Sequence, residues 1–127
     1  MNPWIERLGV LYRRGRQNVA LRLAACYRGR LDGLWIVGVT GSCGKTSAKE
    51  LIYAVLAAAM NGRKNKLTRN THFAVACSVL KTRKSHDFLV QEVSVDVPGS
   101  MDPALRVLRP NVGVVTLIGQ DHYRAFR

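Results

Sequence analysis

Long apolar runs are missing from this chain of 127 residues. No stretch approaches the ~20 consecutive apolar residues that a membrane-spanning helix needs. At the start, Met1 to Leu11 lacks the apolar core of a signal peptide, because Glu6, Arg7 and Gly9 break it. Cysteine is scarce as well. Cys26, Cys43 and Cys77 are odd in number and widely spaced, which fits neither a disulfide framework nor a zinc site. A reducing, cytoplasmic setting is the simplest expectation. Low-complexity tracts and repeats are also absent, so the 47% hydrophobic content reads as globular, enough for one modest domain with one core.

Acid is the other shortage: 8 Asp and Glu stand against 20 Lys and Arg, a formal net charge of +12. The excess is uneven. Residues 1–33 carry Arg7, Arg13, Arg14, Arg16, Arg22, Arg28 and Arg30 against Glu6 and Asp32, and residues 61–87 are basic from Arg63 to Lys66 and from Lys81 to Lys84. Such a surface can attract nucleic acid, anionic lipid or a polyanionic substrate. The plainer reading is a solvated basic face. A third is that an acidic partner segment lies elsewhere.

What is present is a patterned middle. Leu34-Trp35-Ile36-Val37 is short, apolar and β-rich, as a buried parallel strand should be. Gly38-Val39-Thr40-Gly41-Ser42-Cys43-Gly44-Lys45-Thr46 follows, and Thr46 to Met60 then has Leu51, Ile52, Val55, Leu56 and Ala59 at helical spacing, with Lys49 and Glu50 on the other side. Strand, glycine-rich turn, Lys-Thr and helix is the order of a phosphate-binding loop. Its glycines let successive N–H groups face one concavity, and the helix start adds free N–H groups and partial positive charge. Lys45 can reach the β- and γ-phosphates, and the Thr46 hydroxyl is placed for Mg²⁺. One departure from the general pattern is that Val39 stands where a glycine is usual, the glycine being at Gly41.

The rest of the chain alternates. Residues 3–31 read as one or two helices punctuated at Gly15, packed on a sheet edge, linking to something else, or lying on a membrane surface. Asn61-Gly62 is a turn, and Arg63 to Lys66 is a basic connection. A second helix spans about His72 to Leu80, and a second strand, Asp87 to Val93, ends in Glu92. Asp102-Pro103 starts a helix that Pro110 stops, and Val112 to Ile118 is a third strand leading to Gly119-Gln120-Asp121-His122. The expected fold is α/β, a P-loop-type parallel sheet with flanking helices over residues 34–127, preceded by an Arg-rich helical segment over residues 1–33.

In such sheets ligands sit beyond the carboxyl ends of the strands. A carboxylate on the strand beside a phosphate loop can hold Mg²⁺, which prefers oxygen ligands. For Glu92 the bland reading is an ion pair with one of the many arginines. His122 by chemistry alone is a structural hydrogen-bonder, since imidazole is an unusual ligand for Mg²⁺. His72 and His86 read as a helix-start residue and a loop residue.

The segments GVTGSCGKTSAKELIYAVL, TRNTHFAVACSVL, LVQEVSVDVPGSM and LRPNVGVVTLIGQDHYRAF occur in the order seen in Mur ligases, the ATP-dependent amide ligases of peptidoglycan synthesis. The chain from about residue 34 to 127 resembles their central domain, and looks closest to the branch that adds D-alanyl-D-alanine to a UDP-N-acetylmuramoyl-tripeptide. Folylpolyglutamate synthases and cyanophycin synthetases share that core. The resemblance implies a nucleotide site at Gly41, Ser42, Cys43, Gly44, Lys45, Thr46, Ser47 and Asn70, with Lys45, Glu92 and His122 as catalytic residues. It also implies ATP and Mg²⁺ as cofactors, the metal held by Thr46, Glu92 and His122. Cys43 stands where the family often has Asn, and Thr71-His72 replaces a further Asn.

The implied reaction forms an acyl phosphate from a carboxylate and ATP, and an amine then displaces the phosphate. The partners implied for a full-length enzyme are a UDP-linked muramyl peptide or similar carboxylate and an amine acceptor. The family's modified lysine, its C-terminal domain and its usual N-terminal UDP-substrate domain have no counterpart here, so the chain is expected to be a fragment that binds nucleotide weakly and does not ligate alone. Two other classes compete: a P-loop ATPase or kinase module, and a basic module for nucleic acid or membrane. No specific nucleic acid is expected, and residues 1–33 are expected to make at most weak contact with a membrane surface.

Overall fold

The apolar runs that begin at Trp35 and Phe88 are each followed by a helix, and that alternation sets the topology. The computed structural model describes residues 3–66, 70–95 and 97–119. Helix α1 spans Pro3–Arg28, β1 Trp35–Thr40, α2 Lys45–Ala57, β2 Gly62–Lys64, α3 His72–Leu80, β3 Phe88–Glu92, α4 Asp102–Leu108 and β4 Val112–Val115. The four strands form one sheet in the order β2-β3-β1-β4, with every pairing parallel. β1 is therefore central, and its register sets Val39 opposite Glu92 on one side and Val114 on the other.

Alternation along the strands sends side chains to two faces. Val37, Val39, Phe88 and Val90 point to one, where α2 covers them with Ala48, Ile52, Tyr53 and Leu56. Ile36 and Leu89 point to the other, into a larger core with Val75, Ala76 and Val79 of α3, Ala104, Val107 and Leu108 of α4, and Ala20 and Ala24 of α1. Burying each such Val, Leu or Ile side chain contributes about 1.5–3 kcal/mol.

Three local expectations change. Of the one or two helices expected at the start of the chain, α1 is the single one, running through Gly15, where a Cβ would meet nothing within 4 Å. Its C-terminal half packs on α3 and α4, into the same core as the sheet, rather than on a sheet edge. Arg63 and Lys64, read as part of a basic connection, belong to the edge strand β2, where main-chain pairing with Leu89 and Val90 overrides a sequence with no apolar alternation. Strand β4 stops at Val115, short of Ile118, because the chain after it turns in to bond the loop that follows β1.

Candidate functional site

Two glycines give the turn after β1 its shape. Gly41 has φ 137° and Gly44 φ 79°, both in the region that side-chain-bearing residues avoid. A Cβ on Gly41 would run into the Thr116 side chain, whereas one on Gly44 would meet nothing within 4 Å. The turn is tied to the segment after β4. The Ser42 N–H donates to the Leu117 carbonyl at 2.7 Å, the Gly119 N–H donates to Ser42 Oγ at 3.0 Å, and Thr116 Oγ1 donates to the Cys43 carbonyl at 2.6 Å.

Helix α2 starts from this turn with Gly44 at its cap position. No side-chain hydrogen bond caps that end, and no acidic residue lies in its first turn. The opening amides of a helix have no partner within it, and the helix dipole makes this end partly positive. An anion is the natural complement. Lys45, on the first turn, folds back over the loop, with Nζ donating to the Gly41 carbonyl at 2.6 Å and lying 3.4 Å from that of Ser42. Its ammonium is therefore held against the carbonyl oxygens of the loop.

Beside the loop, Glu92 ends β3 and is almost fully buried, at 1% exposure. The Thr46 hydroxyl donates to Glu92 Oε2 at 2.9 Å, and Asn70 Nδ2 donates to Oε1 at 3.3 Å. The Glu92 backbone N–H donates to Asn65 Oδ1 at 2.9 Å, which fixes the strand end from the β2 side. A hydroxyl and a carboxylate that share a hydrogen bond at the mouth of an uncapped helix are hard oxygen donors of the kind Mg²⁺ takes, alongside waters and phosphate oxygens. The residues present thus fit a Mg²⁺–phosphate group. Among the described residues no group of three or more His, Cys, Asp or Glu could hold a metal, so a soft-metal centre finds no support there.

Lys49 also belongs to this cluster. It is fully buried, with Nζ 3.9 Å from Glu92 Oε2 and 3.4 Å from Glu50 Oε1. Assigning Lys49 to the solvent side of α2 is therefore wrong. Lysine's place one turn after Lys45 and three residues after Thr46 puts it on the loop-facing side, and that spacing is the signal that locates it. Glu50 in turn bonds Lys64, whose ammonium holds the Glu50 carboxyl below the usual carboxylate range, with Lys49 adding to the effect.

Of the sequence-predicted residues, the structure brings Gly41 to Lys45, Thr46, Asn70 and Glu92 to one end of the sheet. Ser47 lies exposed on the first turn of α2. His122 and Asp121 lie outside the described residues. His72 is a clamp rather than a ligand: one ring nitrogen meets Gln17 Nε2 at 2.9 Å and the other the Ser100 carbonyl at 2.5 Å, joining α1 to the turn before α4. Thr116 and Asn65, which hold the loop and the β3 tip, carry no motif that marks them in sequence. Among the described residues no helix is long and apolar enough to cross a membrane.

Comparison with known proteins agrees with this geometry. The family model described as the Mur ligase middle domain matches residues 39–127. The UDP-N-acetylmuramoyl-tripeptide--D-alanyl-D-alanine ligase of Synechocystis is 35% identical over 100 residues, a span covering 79% of this chain and 22% of that protein. The Bacillus subtilis enzyme of the same name is 34% identical over 101 residues, covering 80% and 22%. Among solved structures, MurF from Acinetobacter baumannii aligns with TM-score 0.81 and 26% identity over 86% of this chain and 24% of that one. MurF ligase from Thermotoga maritima in complex with ADP aligns with TM-score 0.74 and 31% identity over 82% and 24%. The chain thus spans about a fifth of the length of the curated relatives it matches.

Proposed function

This chain belongs to the Mur ligase family, whose middle domain it matches, and on that premise we propose that it carries the ATP- and Mg²⁺-binding part of an ATP-dependent amide ligase of peptidoglycan precursor synthesis. The relatives' names point to a UDP-linked muramyl tripeptide as the carboxylate substrate and D-alanyl-D-alanine as the amine. In that reaction the carboxylate takes the γ-phosphoryl group of ATP to become an acyl phosphate, and the amine expels the phosphate as the amide forms. Residues 34–127 are assigned to the nucleotide unit and residues 1–33 to a helical segment before it.

One observation carries the reading: the Thr46 hydroxyl from the first turn of α2 and the Glu92 carboxylate from the tip of β3 meet at 2.9 Å beside the open start of that helix. The loop amides from Gly41 to Ser47 would hold phosphate oxygens, and Asn70 would keep Glu92 in place. The Lys45 ammonium would leave the Gly41 carbonyl for phosphate, adding a mobile positive charge where negative charge gathers. Thr46 and Glu92 would hold Mg²⁺, with His122 as a second-metal ligand on the strength of the family resemblance. Bound Mg²⁺ would supply charge neutralisation of the transferring phosphoryl group.

The test is titration of the chain with a fluorescent ATP analogue, with and without Mg²⁺. Expected is Mg²⁺-dependent binding that Lys45→Ala weakens at least about tenfold, a loss of roughly 1.4 kcal/mol or more. Thr46→Val should remove the Mg²⁺ dependence. Binding equally tight in Lys45→Ala, or no binding to the wild-type chain, would overturn the proposal.

A further inference from the structure

Helix α1 has two unlike sides. At 26 residues it is about 39 Å long. Its inner side buries Ala20 and Ala24 against the domain, with Leu21, Ala25 and Tyr27 alongside. Trp4, Leu8, Leu11, Tyr12, Val19 and Leu23 are each 57–70% exposed. At 100° per residue these six fall within an arc of about 120°, on the side roughly opposite Ala20 and Ala24. They make an exposed apolar stripe in two groups, one on each side of Gly15.

Arginines accompany the stripe: Arg7, Arg14 and Arg16 flank it and Arg22 lies within its arc. Among the described residues no ion pair holds any of them. Arg7 lies over the Trp4 ring and Arg16 over Phe73, so part of the charge is spread along aromatic surface. We propose that this face of α1 is a docking surface for an anionic lipid bilayer, with the helix lying in the plane of the interface. The charge pattern selects this occupant. A second copy of the chain would set one row of arginines against another. A nucleic acid would satisfy the arginines and leave the apolar stripe in water. An anionic bilayer takes both, since leucines and aromatic rings enter the headgroup boundary while arginines reach up to lipid phosphates. Trp4 and Tyr12 are the residue types that favour that boundary. The half of α1 packed on the domain is already folded, so binding orders less chain than it would for a free peptide.

The test uses the full chain with Trp35→Phe, leaving Trp4 as the reporter, and vesicles of phosphatidylglycerol mixed with phosphatidylcholine or of phosphatidylcholine alone. Expected are co-sedimentation with the anionic vesicles, a blue shift of Trp4 emission, and at least about a tenfold weaker partition onto phosphatidylcholine. Leu8→Ala/Leu11→Ala/Tyr12→Ala keeps helix propensity and should lower partition at least about tenfold. Four results would overturn the proposal: no partition, equal partition onto both vesicles, partition that the triple variant leaves unchanged, or a dimer in sedimentation equilibrium that the triple variant dissolves. Tighter binding to an oligonucleotide, likewise unaffected by that variant, would assign the helix to nucleic acid instead.

Discussion

Replacing Glu92 by glutamine separates the structural role of this carboxylate from its proposed role in metal binding. The side chain is buried, and its charge faces the buried Lys49 ammonium at 3.9 Å. At an effective dielectric of about 20, that separation corresponds to roughly 4 kcal/mol of attraction. Two effects reduce the loss. Glu50, 3.4 Å from Lys49 Nζ, still neutralises the lysine in the variant, and the cost of keeping a carboxylate out of water disappears. One effect adds to it, since the Thr46 hydroxyl bonds a neutral amide instead of an anion, about 1 kcal/mol weaker. The net expectation for Glu92→Gln is a loss of about 2 kcal/mol. For a domain of this size that lowers the thermal midpoint by about 8 °C, read by circular dichroism. Lys49→Met should destabilise by a comparable amount, and the double variant should recover part of both losses, with a coupling of about 1–2 kcal/mol. Nucleotide titration completes the experiment, because the double variant should regain stability without regaining Mg²⁺-dependent binding. A midpoint shift below about 2 °C for Glu92→Gln, or strict additivity of the two substitutions, would refute the reasoning that the pair is coupled in the fold.

Other expectations follow from the same structure. Gly41→Ala adds a collision with Thr116 to left-handed backbone strain and should cost about 2–3 kcal/mol in urea denaturation, whereas Gly44→Ala, with open space around it, should cost only about 1 kcal/mol. Leu89→Ala empties the centre of the larger core and should cost about 2–5 kcal/mol by the same measurement. Burial, then the Arg63 and Arg83 guanidinium groups, hold His86 below the ordinary histidine value of 6.5 against the opposing pull of Asp87. Its Nδ1 accepts from the Arg83 N–H at 2.9 Å, as a neutral ring does. The fold therefore prefers the uncharged form, so this contribution is complete above pH 6.5 and is lost as acid titrates down through the depressed folded value. His86→Gln should flatten that part of the stability profile, and an unchanged profile would count against the assignment.

The phosphate-type loop can be read from sequence because its demands are local: an apolar strand, glycines at turn positions and a helix start follow one another within a few residues. Glu92 can be read because it is the acid that closes an apolar run. Lys49 is harder. Hydrophobic periodicity assigns any charged residue on α2 to solvent, and only the position of Lys49 one turn after Lys45 shows that it faces the loop. Strand β2 is harder still. Gly62, Arg63 and Lys64 have neither alternation nor β-branched residues, and their conformation comes from hydrogen bonds to β3 that lie outside their own sequence. In α1 the apolar residues are visible, but which of them pack cannot be read from the helix alone, because the positions that meet α3 and α4 are mostly alanines.

The loop does not hold its shape by itself. Gly41 and Gly44 permit the turn, but a glycine loosens the chain as readily as it bends it. What removes that freedom is the Thr116–Gly119 segment, whose hydrogen bonds reach Ser42 and Cys43 from the far side of β1. Those bonds exist only if β4 is paired with β1 in the observed register, Thr40 opposite Val115. On the other flank, Glu92 is positioned by the pairing of β3 with β1 and by Asn65 beyond β2. The anion-facing amides and the carboxylate are thus set by separate strand pairings that share only β1. A substitution that loosens β4 should blur the loop while leaving the Thr46–Glu92 contact intact, and one that loosens β2 should do the reverse.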